Sequence, residues 1–387
     1  MENWNLPLPY YLVLAHCARN NLSEAEKKVL VDKTKRLRDW NVMPDYARWH
    51  GMAPLLYHHF RDVDLEIPLS VARELQFSFV QTRQQNQIRL SVLDSILDVY
   101  NSAGIRALVL KGAALSLCAY SSTGLRPMRD IDILVSPSSV VCAQESLRAM
   151  GFHASTDDLE FRLNHHHHLE PAWKTVDGLF VSVEIHHGLA HGEPFDEEQF
   201  DRLIADSQLI YRSQALTMRA LGHEDMLAHL CRHLIQNTTV FSSPRLIWLA
   251  DIVTYAEKHV AEIDWYGLRK RSPLVLNMLS LICHTTPLSQ ELRSCLAQHT
   301  PGTLNDVGRD FQGWPRTSLE EQMEKGLLRF LGDTFWPSEW WLRLHNGLDS
   351  VQSIWWQRLV AHPAEIISWI HHWLSHKPSR TNRETLG

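Results

Sequence analysis

The chain has 387 residues, 44% of them hydrophobic, which is enough for two or three packed units and excludes a disordered polymer. Its 38 Lys plus Arg against 44 Asp plus Glu give a net charge of -6, so it lacks the basic surplus common in proteins that track a nucleic-acid backbone. Six cysteines are scattered without metal-ligand spacing and read as buried thiols of a reducing compartment. No basic start with a small-residue cleavage site opens the chain, and no uncharged apolar run reaches the ~18 to 20 residues of a membrane span. The expectation is a cytoplasmic protein.

Residues 1–103 read as a helical region. Ser23 and Glu26 stand at capping-box spacing, and Gly51 and Gly104 suit helix stops. Leu75, Phe79, Leu90, Leu93 and Leu97 recur at helical intervals between them. Residues 104–215 then change period. ALVL (107–110) is a short buried strand running into Lys111, Gly112 and a helix, and DIDILV (130–135) is a second strand followed by another helix. Two more strands are expected, His166–Lys174 and Leu179–His187, joined by a turn containing Asp177 and Gly178. Residues 216–387 return to helix: Leu227, Leu230, Cys231 and Leu234 share one stripe, and 246–256 form the next helix. The fold class is therefore α+β, a small mixed sheet flanked by N-terminal and C-terminal helical regions.

Alternate residues of a strand share a face, so Asp130 and Asp132 project together while Ile131 and Ile133 turn to the core. Two adjacent carboxylates repel unless a cation compensates, and hard oxygen donors suit Mg²⁺ and the phosphates it carries. The bland alternative pairs them with Arg126 and Arg129. Upstream, Lys111 and Gly112 at a helix start place free N–H groups and an ammonium where a phosphate can dock.

The segment LVLKGAALSLCAYSSTGLRPMRDIDILV resembles the signature of polymerase-beta-type nucleotidyltransferases, and most closely a group of uncharacterised bacterial members. The resemblance extends to LGHEDMLAHLCRHL and RLIWLADIV. It implies Gly112 as the phosphate-loop glycine, Asp130 and Asp132 as metal ligands, and Glu184 as a third carboxylate, with His186 on its face. Lys111, Gly112, Arg126, Arg129 and His186 become nucleotide-binding residues. It further implies two Mg²⁺ ions and an NTP co-substrate whose NMP group passes to an acceptor hydroxyl, pyrophosphate leaving. A small-molecule acceptor is expected; the alternatives are a toxin-like enzyme modifying tRNA or protein, and a non-catalytic nucleotide-binding scaffold. Lys111-Gly112-Ala113 departs from the usual Gly-Ser or Gly-Gly, removing a serine hydroxyl from the phosphate loop. Asp177 and Glu170 are the substitutes if Glu184 is not the third acid.

Two histidine patterns and a tryptophan-rich tail complete the inventory. In a strand, His165 and His167 would face away from His166 and His168, as polar residues near the cleft. His229 and His233 share a helix face without a metalloprotease glutamate and read as surface or cleft residues. Eight of the fourteen tryptophans fall between residues 314 and 373. Helical stripes such as Ile366, Ile370, Trp373 and Val351, Trp355, Arg358 are expected to pack on the helical region. Contact of Trp340, Trp341, Trp355 and Trp356 with a membrane surface or partner is the alternative.

Overall fold

The computed structural model describes residues 8–299 apart from 64, 155–158, 191–194, 213–216 and 238–244, together with 328, 332, 335–336, 342, 354–364 and 366–368. Five helices come first: α1 (Leu8–His16), α2 (Glu24–Thr34), α3 (Met43–Trp49), α4 (Ala53–Asp62) and the long α5 (Leu69–Ser102). Ser23 and Glu26 form the expected reciprocal cap on α2. Gly51 and Gly104 follow α3 and α5 in the left-handed region, with φ of 71° and 73°. The stripe on α5 buries Leu75, Leu93 and Leu97, each such side chain stabilising the fold by about 1.5–3 kcal/mol relative to exposure.

The sheet has six strands in the order β3-β4-β2-β1-β6-β5. They are β1 (Ala107–Val109), β2 (Asp130–Val135), β3 (Ala172–Val176), β4 (Leu179–His186), β5 (Gln208–Arg212) and β6 (Thr217–Ala220). It is mixed, as expected: β2 runs antiparallel to β1 and parallel to β4. Helix α6 (Lys111–Cys118) connects β1 to the loop before β2, and α7 (Val140–Ala149) follows β2. Asp177 and Gly178 form the two-residue turn between β3 and β4 with φ of 50° and 77°, the paired positive angles of a type I′ hairpin.

The expected strand His166–Lys174 is not continuous. Helix α8 occupies Leu159–His165, the chain then touches β4 through a bridge between His168 and His186, and β3 begins at Ala172. Pro171 explains the interruption, because it offers no N–H to the ladder. The hairpin β5–β6 at the opposite edge was not anticipated; β6 pairs parallel with β1 at Val109 and Ala220.

Helices α9 (Glu197–Ala205), α10 (His223–Gln236), α11 (Leu246–Lys258), α12 (Trp265–Arg271), α13 (Pro273–Ile282) and α14 (Gln290–His299) complete this part. Leu227, Leu230, Cys231 and Leu234 are buried along α10 as their spacing requires. The two helical regions touch directly: Arg19 of the N-terminal part bonds Glu257 of α11 at 2.9 Å and the carbonyl of Pro287 at 2.9 Å. Among the described residues no helix is long and apolar enough to cross a membrane.

Two expectations are corrected. Cys142 is exposed and Cys283 and Cys295 are partly so, Cys142 and Cys295 on outward positions of α7 and α14 and Cys283 at the cap after α13, while Cys17, Cys118 and Cys231 are buried. Trp355 and Trp356 are 59% and 65% exposed instead of packed, Ile354 being the buried side chain of that turn. Val351, Ile370, Trp373, Trp340 and Trp341 lie outside the described residues.

Candidate functional site

The parallel register of β2 and β4 sets Asp130 opposite Ser182 and Asp132 opposite Glu184. A carboxylate from each strand therefore lies on one face, and His186, two residues beyond Glu184, shares it. His186 is fully buried with Nε2 2.9 Å from Asp132 Oδ1 and 3.6 Å from Glu184 Oε2. Lys111 reaches the same Asp132 oxygen from α6 at 2.7 Å. To do so it adopts φ 43°, a left-handed angle that costs a non-glycine residue about 1–2 kcal/mol. Asp177 is in the hairpin turn and Glu170 is ion-paired with Arg162, so neither joins this group.

The electrostatics of the two aspartates diverge. Asp132 is held well below the usual carboxylate range: burial opposes ionisation, and the charge of Lys111 with the His186 hydrogen bond overcomes it. Asp130 is pushed up to about 6, first by burial and then by repulsion from Asp132 and Glu184. Glu184 is lowered chiefly by its hydrogen bond to His186, against burial and repulsion from Asp132. The cluster thus carries more negative charge than Lys111 neutralises. A hard divalent cation fits that surplus and its oxygen donors. Asp132, Glu184 and His186 offer ligand atoms within 4.8 Å of one another; Asp130 is not one of that trio, though close enough to feel both acids.

The residues assigned to phosphate sit as follows. Gly112 lies against Arg126: a Cβ there would meet Arg126 Nη1 at 2.8 Å and Met128 Cγ at 3.2 Å. That guanidinium cannot easily yield, because it bonds both oxygens of Asp251 on α11 at 3.1 and 2.7 Å and the carbonyl of Pro127 at 2.5 Å. Tyr120 donates to the same Asp251 at 2.7 Å. Arg126 is therefore engaged with a carboxylate 125 positions away, not with Asp130 or Asp132. Arg129 is exposed just ahead of β2. The loop carrying both is pinned by Asn86 of α5, whose Nδ2 donates to the carbonyls of Thr123 and Arg126 at 2.6 and 2.8 Å.

Three surroundings escaped sequence reasoning. Arg89 on α5 is 6% exposed, its Nε and Nη1 have no hydrogen-bond partner among the described residues, and Asp130 attracts its charge. His229 is 3% exposed with neither ring nitrogen hydrogen-bonded among the described residues. Burial foremost, then the charges of Lys111 and the neighbouring His233, hold it well below the ordinary imidazole value. It faces inward, not to the surface, and lines a cavity of about 360 Å³ with Phe195, Arg202, Glu224, Arg232 and Arg271. His167 and His168, expected on opposite faces, both lie against His186, with ring centroids 5.4 and 5.3 Å away, because the segment is an irregular bridge and does not alternate. For Arg89 the signal was a cation at a buried helix position; its target was not visible.

Residues 36–287 match the family model described as "Uncharacterised nucleotidyltransferase". The chain belongs to that nucleotidyltransferase family. No curated protein matches it. Among solved structures it is similar to an antigenic nucleotidyltransferase-like protein from Paracoccidioides brasiliensis, at 15% identity, covering 60% of this chain and 94% of that one with a TM-score of 0.30.

Proposed function

We propose that the protein is a Mg²⁺-dependent nucleotidyltransferase of the polymerase-beta type, moving an NMP group from an NTP to a hydroxyl of a small-molecule acceptor. The observation that carries this reading is the cluster of buried Asp132 with half-buried Asp130 and Glu184, in which burial first and then repulsion from the other two acids raise Asp130 to about 6 although Lys111 is present. Asp130, Asp132 and Glu184 are the residues that would hold two Mg²⁺ ions. Bound there, Mg²⁺ supplies charge neutralisation at the triphosphate and acidifies the acceptor hydroxyl.

The chain's own groups do the rest. His186 and Lys111 fix Asp132 and keep it ionised at any physiological pH. Lys111, at the first turn of α6, and Arg89, a buried cation whose Nε and Nη1 have no hydrogen-bond partner among the described residues, bind and orient phosphate oxygens. The acceptor oxygen bonds the α-phosphorus as the bond to the bridging oxygen breaks; pyrophosphate departs, and Glu184 takes the hydroxyl proton. The cavity beside His229 is of a size for a small acceptor, and its mixture of Arg202, Arg271, Glu224 and Asp225 suits a polar one. The net charge of -6 disfavours an extended RNA acceptor.

Incubating the protein with each NTP labelled at the α-phosphate, Mg²⁺ and a cell extract tests the reading. A labelled small molecule that depends on Asp132 is the expected result. Label confined to tRNA or protein would favour the toxin-like alternative, and no label in any fraction the nucleotide-binding scaffold.

A further inference from the structure

A second group of ligating side chains lies away from the carboxylate cluster, where three helices meet. His223 opens α10, His259 caps the end of α11, and Glu262 follows one turn later. Gly222 lets α10 start here, since a Cβ would stand 2.5 Å from the carbonyl oxygen of Asp206. The two imidazole rings are 4.6 Å apart, and one ligand atom from each of the three residues falls within 4.8 Å of the others. Glu262 Oε2 is hydrogen-bonded to His259 Nδ1 and lies 3.8 Å from His223 Nε2.

The outer nitrogens decide what this arrangement is built for. His259 Nε2 is 3.1 Å from the carbonyl oxygen of Cys118, which can only accept, so that nitrogen carries a proton; Nδ1 donates to the Glu262 carboxylate for the same reason, and offers its lone pair when a metal ion takes the place of that proton. His223 Nδ1 is 2.9 Å from the hydroxyl of Tyr255, itself anchored by Gln208. The Tyr255 hydroxyl accepts from Gln208 Nε2 and can either accept from or donate to His223 Nδ1; in the tautomer with Nδ1 as donor, His223 Nε2 presents a lone pair toward Glu262. A backbone carbonyl or oxygen holding the far nitrogen is the support that fixes tautomer and ring orientation in histidine metal ligands. The Cys118 carbonyl gives His259 such a support, and the Tyr255 hydroxyl gives His223 one in the Nδ1-donor tautomer.

We propose that His223 Nε2, His259 Nδ1 and Glu262 bind a divalent transition metal, Zn²⁺ being the best match to two imidazoles and a carboxylate. Three protein ligands leave one position for water. The ion would clip the start of α10 and the end of α11 to the last turn of α6, the helix whose first residue is Lys111. The site is chemically distinct from the oxygen-rich cluster on β2 and β4.

The test is titration of chelator-treated full-length protein with Zn²⁺ alone, against a competing indicator dye, for the parent and for Asp132→Asn, Glu262→Ala, His223→Asn and Tyr255→Phe. One equivalent should bind in Asp132→Asn and at least one in the parent. Affinity should fall at least 100-fold in His223→Asn and Glu262→Ala, and about 10- to 100-fold in Tyr255→Phe, which removes only the outer oxygen. Glu262 is more than half exposed, so its removal leaves the fold intact. Absence of stoichiometric binding to the parent, or affinity unchanged in Glu262→Ala, would overturn the proposal. So would loss of the equivalent in Asp132→Asn with retention in Glu262→Ala, which would place the ion on β2.

Discussion

Two buried acidic centres flank α6, and they solve the same problem in opposite ways. At Asp251 a single carboxylate receives both arms of Arg126 and the hydroxyl of Tyr120, and charge and hydrogen-bonding capacity are matched. On β2 and β4, Asp132 bonds one lysine and one histidine, Glu184 lies near the same histidine, and Asp130 beside them is pushed up to about 6 by burial and by repulsion from both acids. A balanced buried pair is what folding alone selects. An under-neutralised cluster costs stability and persists where a ligand brings the missing positive charge.

The sharpest break between the two centres is in catalysis. Asp132→Asn should lower nucleotide transfer by about 10³-fold or more, a loss of about 4 kcal/mol in transition-state stabilisation, read from initial rates with α-labelled NTP. Asp251→Asn should leave the rate per folded molecule within several-fold of the parent. A fall as steep as that of Asp132→Asn would make the Arg126 node part of the reacting machinery.

Stability should divide the centres the other way. Asp251→Asn leaves Arg126 buried without a counter-charge and should cost about 3–5 kcal/mol in denaturant unfolding. Asp130→Asn should instead stabilise, and only above a defined pH. Because the folded-state value is raised, from 3.8 to about 6, the folded protein binds this proton more tightly than the unfolded chain. The parent then loses stability as pH rises from about 4 to 6 and no further above that. The gain of Asp130→Asn should therefore be near zero at pH 4 and reach at most about 3 kcal/mol above pH 6. A gain that grows toward acid pH would contradict the assignment.

The smallest expected effect concerns the buried cation of α5. Arg89→Gln should raise the NTP KM about 10- to 100-fold through loss of a charge-assisted phosphate contact. An unchanged KM would return Arg89 to a packing role.

Much of the architecture was legible because it rests on local period. The hairpin turn Asp177-Gly178, the capping box at Ser23 and the alternation in DIDILV each follow from adjacent residues. Pairings across long stretches of chain were not legible. Nothing near Arg126 points to Asp251, and nothing near His223 points to the carbonyl of Cys118 or to Glu262. The run of histidines misled for a related reason. Strand periodicity was applied to residues that end helix α8 and then form only a short bridge to β4, so His167 and His168 came together on His186 instead of separating. The β5–β6 hairpin was missed because Gln208–Arg212 and Thr217–Ala220 are short and carry polar residues suited to an edge.

The central claim is that the crowded carboxylates form a site for a metal-bound triphosphate, and its most direct test is equilibrium stabilisation by a non-hydrolysable NTP analogue with and without Mg²⁺. For the parent, analogue at about 100 times its Kd should add about 2.7 kcal/mol, and only when Mg²⁺ is present. Asp130→Asn and Asp132→Asn should lose that Mg²⁺-dependent increment while unfolding cooperatively. If both variants keep it in full, the cluster on β2 and β4 is not the nucleotide site.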